Sequence, residues 1–283
     1  MNPLVTLVSP VYNAMPYLKD FLSCLANQTW RPLEVILVDD GSTDDSAQCL
    51  GENQRFLEAA GLSVKLLFCP HRGQAAAMNA ALPLITGEFF TWCDSDDFLA
   101  PDSVEKKARW LMAHPDGGMV RSNGVVLDAD KGVQLSESAR ESDRCQKSVF
   151  EDLFLDRTYC YGGCYMVRTD LFFACYPDKR MPESPEGQNL QLLLPPASRS
   201  ECGYLDEPLH TYCRRHSGHS SRDRSYQENL RRMENFTALR LAILEYCDCD
   251  RTHYAALART LEEKNRKILL YSAVQRARKE MGK

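Results

Sequence analysis

The chain predicts an α/β protein: a mostly parallel, Rossmann-like sheet flanked by helices and followed by a C-terminal helical extension. Three observations carry that expectation. Short apolar, β-branched runs alternate with helix-spaced segments over residues 1 to about 125. Each early run ends in a polar cluster, and from residue 225 onward only helical spacing remains.

Residues 4–11 are β-branched and apolar and break at Pro10-Val11-Tyr12-Asn13, as a strand entering a turn does. Residues 16–28 place Leu18, Phe21, Leu22 and Leu25 on one helical face. Residues 33–38 are almost wholly apolar, the mark of a parallel strand covered on both faces. They run into Asp39-Asp40-Gly41-Ser42-Thr43-Asp44, a turn and helix cap. The pattern repeats with a helix near 46–60, a strand at 64–69, the loop His71-Arg72-Gly73, a helix at 74–82 and a strand at 88–93. Such alternation implies parallel pairing through right-handed crossovers, and ligands of these sheets bind beyond the carboxyl ends of the strands. The polar clusters all lie at those ends, so they can converge on one crevice.

After Pro101 a helix to about His114 and a strand at 118–127 are expected, and residues 128–147 read as a loop or surface excursion. The C-terminal stretch repeats apolar residues at Leu230, Met233, Phe236, Leu239 and Ile243, then at Leu257, Leu261, Ile268 and Leu269. Two helices separated by Asp248-Cys249-Asp250 are expected there.

A chain of 283 residues, 44% hydrophobic and 26% charged, can bury a substantial core. Its net charge of -5 argues against a general nucleic-acid binder, which neutralises many phosphates with a basic surplus. No apolar run reaches membrane-spanning length, and residues 1–12 lack a basic region and hold Pro3 and Pro10, unlike a secretory signal. A cytoplasmic location is expected. The 12 cysteines are scattered without a zinc-type pair and read as reduced thiols.

Asp94-Ser95-Asp96-Asp97, directly behind an apolar strand, is the strongest chemical signal. Three carboxylates within four residues repel one another, and a cation offsets that repulsion; hard oxygen ligands favour Mg²⁺ or Mn²⁺. The second cluster, Asp39-Asp40-Gly41-Ser42, can accept hydrogen bonds from a nucleobase imide or a ribose hydroxyl. Taken alone, either cluster also fits a plain turn and helix cap.

Together, the two clusters behind buried strands, with Ser9-Pro10-Val11-Tyr12-Asn13 leading, resemble the family 2 glycosyltransferases of the GT-A fold. The resemblance is clear to about residue 125, looser to about 220, and does not extend to the last helices. It implies a catalytic domain over 1–222, with a nucleotide-sugar half at 1–125 and an acceptor half at 126–222, and an extension over 223–283. It implies a nucleoside held by Pro10, Tyr12 and Asp40 with Asn13 and Asp39 beside them. Asp94, Ser95 and Asp96 would meet the ribose and donor, and Asp96 or Asp97 the Mn²⁺ or Mg²⁺. Arg72, Gly73 and Asn79 match the segment that covers the donor. Where many relatives have Arg-Asn this chain has Met78-Asn79, so Arg72 becomes the substitute cation.

On the acceptor side, relatives carry a Glu-Asp pair whose Asp serves as general base. Here the matching residues are Gln188-Asn189, in a Gly-Gln-Asn form similar to bacterial surface-polysaccharide enzymes. An amide accepts no proton at neutral pH, so Glu183 or Glu186 becomes the expected catalytic base. Gly163, in Tyr161-Gly162-Gly163-Cys164-Tyr165, would let backbone approach the acceptor. Among His210, Arg214, Arg215, His216 and His219, a histidine, His219 first, could complete the metal shell. Residues 264–283 mix Lys and Arg with Ile268, Leu269 and Leu270; such a helix can lie on the inner face of the membrane, pack on the domain, or pair two copies of the chain.

The expected function is metal-dependent, inverting transfer of a sugar from a nucleotide-sugar donor, UDP-linked first, to a saccharide or lipid-linked acceptor in surface-polysaccharide synthesis. Two alternatives stand beside it. A non-catalytic nucleotide-sugar-binding scaffold is kept open by Asn189, and a sugar nucleotidyltransferase would ordinarily show a glycine-rich basic signature that residues 9–13 lack.

Overall fold

The computed structural model describes residues 1–215 and 224–281, with side chains described as far as Tyr271. The chain opens with β1 (Val5–Val11), α1 (Met15–Ala26), β2 (Leu33–Asp39), α2 (Ser46–Ala59), β3 (Ser63–Phe68), α3 (Gln74–Ala81) and β4 (Phe89–Trp92). β5 (Phe98–Leu99), α4 (Ser103–Ala113), β6 (Met119–Asp128) and β7 (Val133–Glu137) come after them. The remainder is α5 (Phe150–Phe154), β8 (Tyr165–Arg168), α6 (Thr169–Cys175), α7 (Asn189–Arg199), β9 (Cys202–Arg214), α8 (Tyr226–Leu244) and α9 (Arg251–Met281).

The strands join in one sheet, ordered β3-β2-β1-β4-β8-β6-β9-β5, with β7 paired to β6. β1 and β2 are buried at every position because helices cover both faces. β1 is parallel to β2 and to β4, and β2 to β3, as the alternating pattern requires. Beyond β4 the sheet turns mixed: β8 runs antiparallel to β4 and β6, and β9 runs parallel to β6.

Residues 128–147 are not a plain excursion. Residues 133–137 form β7, antiparallel to β6; Val133 and Leu135 alternate with Gln134 and Ser136, a run too short to stand out, and all five positions are exposed. β9 escapes the sequence pattern for a related reason. Its pairing with β6 slips register on both sides of the Asn123–Pro208 pair, which breaks the period-two burial of a regular strand.

The register of β1 places the functional loops. Val11 lies opposite Asp39 and Val8 opposite Trp92, so the chain leaves β2 and β4 at the same edge, on either side of the end of β1. Backbone bonds from Asp40 N to Val11 O (2.8 Å) and from Cys93 N to Val8 O (3.1 Å) pin both exits. The C-terminal helices are part of the same core: Leu239, Ile243, Leu257 and Leu261 pack in one cluster with Trp92 and Leu190. All 12 cysteines are free thiols, and no described helix is long and apolar enough to cross a membrane.

Candidate active site

Asp94, Asp96 and Asp97 come directly after β4 and line a cleft of about 1100 Å³. Asp97 is buried: its Oδ1 accepts from the Cys213 amide at 2.7 Å, and its Oδ2 lies 3.2 Å from His210 Nε2. Asp96 is more open, and Arg215 Nη1 donates to its Oδ2 (3.1 Å) and backbone O (2.9 Å). The Arg215 guanidinium also sits over the Tyr17 ring, 4.0 Å from its centroid. Asp94 Oδ1 accepts from Gln188 Nε2 at 2.8 Å. Burial, then the charges of Asp97 and Asp96, push the Asp94 carboxyl up to about 7. Asp97 is raised well above the carboxylate range by burial and by Asp96, and Asp96 is raised by burial against the pull of Arg215. Among the described residues Arg215 is the arginine or lysine paired with the cluster, so three carboxyls share one such cation and repulsion raises them.

At the end of β2 the two aspartates divide their tasks. Asp40 Oδ1 accepts from the Arg72 amide (2.9 Å) and Oδ2 from the Gly73 amide (2.8 Å), with His71 Nδ1 2.9 Å from Oδ2. Its carboxylate is therefore spent on the loop that starts α3. Asp39 Oδ2 accepts from the Ser42 amide at 3.1 Å, while its Oδ1 is buried with no hydrogen-bond partner. A buried carboxylate oxygen without a donor is costly and marks a place for a ligand N–H. Gly41, at φ +67°, brings this turn so close that a Cβ would stand 2.6 Å from His71 N. Tyr12, half exposed past β1, stacks on the His71 ring at 4.1 Å.

Several residues expected at the donor make scaffold contacts. Asn13 Oδ1 accepts from the Thr43 (2.8 Å) and Asp44 (3.3 Å) amides, tying the loops after β1 and β2 together. Asn79 brackets Met181, donating to its O (3.0 Å) and accepting from its N (2.9 Å). Arg72 is paired with Glu183 at 2.7 Å. Pro10 is buried inside β1, Ser95 is buried within the acidic turn, and Gly73 takes φ +94° at the start of α3.

On the opposite wall Glu186, Gln188 and Asn189 line the cleft, whereas Glu183 is not among its lining residues. Glu186 Oε2 lies 3.0 Å from Arg232 Nε of α8. Asn189 Oδ1 accepts from Trp92 Nε1 at 2.7 Å, so this amide locks the floor of the site. A Cβ on Gly163 would stand 2.2 Å from the His210 ring, which explains glycine there. Its carbonyl accepts from the buried Lys107 Nζ at 2.5 Å.

Residues 216–223 lie outside the described residues, and His216 and His219 with them. Among the described residues no three carboxylate, imidazole or thiolate groups converge as a ready metal shell. His210, which the sequence offers after His219, reaches the cluster from β9. Tyr161 and Tyr212 stack at 4.5 Å beside Asp97, a pairing that periodicity cannot reveal because the two come from distant parts of the chain. The two C-terminal helices, read from the sequence as an extension, both contribute to the cleft wall.

Two carboxylate clusters leave one edge of a mixed sheet on either side of the end of β1, and the second lines a cleft, the place where ligands of open α/β sheets bind. Residues 6–173 match the model of glycosyl transferase family 2, and the chain belongs to that family. It is 42% identical over 112 residues to an uncharacterised glycosyltransferase of Haemophilus influenzae, covering 39% of this chain and 43% of that one. It is 39% identical over 103 residues to the chondroitin synthase of Escherichia coli, covering 36% of this chain and 14% of that one. The matched segments thus span less than half the length of these relatives. Among solved structures, Staphylococcus aureus TarS 1-349 in complex with UDP-GlcNAc superposes with a TM-score of 0.66 at 19% identity, covering 91% of this chain and 71% of that one. A Pyrobaculum calidifontis mannosyltransferase in complex with GDP-Man and Mn²⁺ superposes with a TM-score of 0.59 at 19% identity, covering 92% and 69%. The architecture is the GT-A fold.

Proposed function

We propose that the chain transfers a sugar from a nucleoside-diphosphate sugar, UDP-linked first, to a hydroxyl of a saccharide or lipid-linked acceptor in surface-polysaccharide synthesis. One observation carries the reading: the orphaned Asp39 Oδ1 and the carboxylates of Asp94–Asp97 flank the end of one strand, β1. That spacing suits a nucleoside at β2 and a diphosphate at β4. Asp39 Oδ1 would accept the imide N–H of uracil, and the Tyr12–His71 stack offers the base a flat surface. The complexes of TarS with UDP-GlcNAc and with UDP support the uridine choice.

The acidic cluster fits a hard divalent cation, Mn²⁺ or Mg²⁺. Its carboxyls are raised by burial and mutual repulsion, and a cation of this type relieves both. Asp96, the more exposed, would hold it first, with Asp97 behind; both Asp97 oxygens are already steadied by Cys213 and His210. Bound there, the ion would act as a Lewis acid toward the leaving diphosphate.

The acceptor hydroxyl would attack the anomeric carbon from the side of α7, breaking the bond to the diphosphate with inversion. Glu186 is the base that fits, since it lines the cleft and Glu183 does not. Arg232 holds it in place. Gln188 and Asn189 act as neutral braces on Asp94 and Trp92. Transfer from UDP-sugars with Mn²⁺, compared between Glu186→Gln and Glu183→Gln, tests the assignment. Loss in the first alone supports it; full transfer in Glu186→Gln overturns the base. Nucleotide binding with no turnover of any sugar donor would favour the scaffold reading that Asn189 invites.

A further inference from the structure

The geometry points to the two C-terminal helices as an acceptor subsite that takes an apolar aglycone, so that the sugar accepting the transfer is carried on a lipid or alkyl chain. This assignment rests on the glycosyl-transfer reading above and names what the far end of that cleft is for.

α9 shows why. Leu257 and Leu261, one turn apart, are buried in the core against α8. The same apolar stripe continues past Lys264, but there the core ends and the cleft begins. Ile268, 46% exposed, and Leu269 line the cleft instead of packing. Across from them α8 presents Leu230, Met233 and Phe236, spaced three residues apart on one face. Apolar side chains from two helices therefore face an open groove, and a contiguous apolar patch of this kind marks a binding surface.

The described charges of the same wall are engaged in ion pairs: Arg232 with Glu186, and Arg240 and Lys264 both with Asp156, three cations on two carboxylates. These pairs tie α8 and α9 to the loops after α5 and before α7, and beside them the wall is made of the apolar side chains named above. Beside the acidic floor, the stacked Tyr161 and Tyr212 rings supply a flat aromatic surface suited to the C–H face of a pyranose. Carboxylates for the donor, an aromatic face for the accepting sugar and an apolar wall for its aglycone match an amphiphilic glycoside. Because the groove opens directly into the acidic site, its occupant is the acceptor and not an unrelated partner.

The test uses the full chain and compares n-octyl β-D-glucoside, kept below its micelle concentration, with methyl β-D-glucoside by titration calorimetry. The octyl glycoside is expected to bind about tenfold or more tightly. The Met233→Ser/Ile268→Ser pair, with thermal melting as the folding control, is expected to lose most of that preference. Equal affinity for the two glycosides, or a preference that survives in the double variant, overturns the subsite. A dimer in sedimentation that the octyl glycoside dissociates also overturns it, since a second copy would then be the occupant. UDP titrated with Mn²⁺ into the same wild-type preparation separates the two levels. If UDP binds and the octyl preference is absent, only the subsite falls; if UDP fails to bind, the acceptor role falls together with the transferase reading.

Discussion

Gln188, at the start of α7, donates from Nε2 to Asp94 Oδ1 at 2.8 Å, so an uncharged amide meets the first carboxylate of the acidic turn. An acid at this place would add a fourth carboxyl group to a cluster already raised by mutual repulsion and paired with Arg215 at Asp96 alone. Gln188→Leu leaves Asp94 without its donor, which is expected to cost about 1–2 kcal/mol in chemical denaturation and to lower transfer. Unchanged stability and turnover would show that the contact matters to neither.

Asp39 and Asp40 are neighbours with different work, and their variants should separate cleanly. Asp40→Ala removes the acceptor of two backbone amides at the start of α3 and should destabilise the chain by roughly 3 kcal/mol, read by denaturant midpoint. Asp39→Asn keeps an oxygen for Ser42 but offers an amide to the base. UDP should bind roughly tenfold to a hundredfold more weakly with little change in stability. The reverse pattern would move the nucleoside contact back to Asp40.

Much of the donor half is legible in the sequence, since β1, β2 and β4 are covered on both faces and advertise themselves as predominantly apolar runs. The roles of individual residues are harder to read. Asp39 and Asp40 are adjacent in sequence, and only the folded turn shows that Asp40 has both oxygens on backbone amides while Asp39 keeps Oδ1 without a partner. Asn79 and Arg72 carry donor-like motifs, yet their partners, Met181 and Glu183, come from a loop more than a hundred residues away. The acceptor wall is the least readable part, because β9 slips register and α8 and α9 show the same apolar spacing whether they bury it or expose it to a cleft.

Lys107 gives a pH signature. It is fully buried beneath the site, bonded to the Gly163 carbonyl, and burial lowers its pKa to about 8. In the unfolded chain the amine titrates near the ordinary lysine value, so below pH 8 folding carries the full cost of the buried charge, about 3 kcal/mol. Between about 8 and 10.5 the folded chain releases the proton first and that cost fades. Lys107→Met should therefore be more stable than wild type at pH 7, with the difference shrinking as pH rises through this window. A difference that stays flat from pH 7 to 10 would show that the amine keeps its ordinary lysine pKa in the fold.

The carboxylate pair on the acceptor side separates by position. Glu186→Gln should leave UDP binding within about twofold while transfer falls by two orders of magnitude or more, the usual scale for losing a general base. Glu183→Gln should retain transfer and instead loosen the Arg72 and Arg180 contacts of its loop. Initial rates with matched UDP titrations check both.

The most direct test is calorimetric titration of UDP into the full chain with Mn²⁺ and with chelator, in wild type and in Asp96→Asn. Wild type should bind UDP much more tightly with Mn²⁺, and Asp96→Asn should lose that enhancement while keeping the weak, metal-independent binding supplied by Asp39. Equal affinity with and without metal in wild type, or an undiminished metal effect in Asp96→Asn, would contradict a cation held between this acidic turn and a diphosphate.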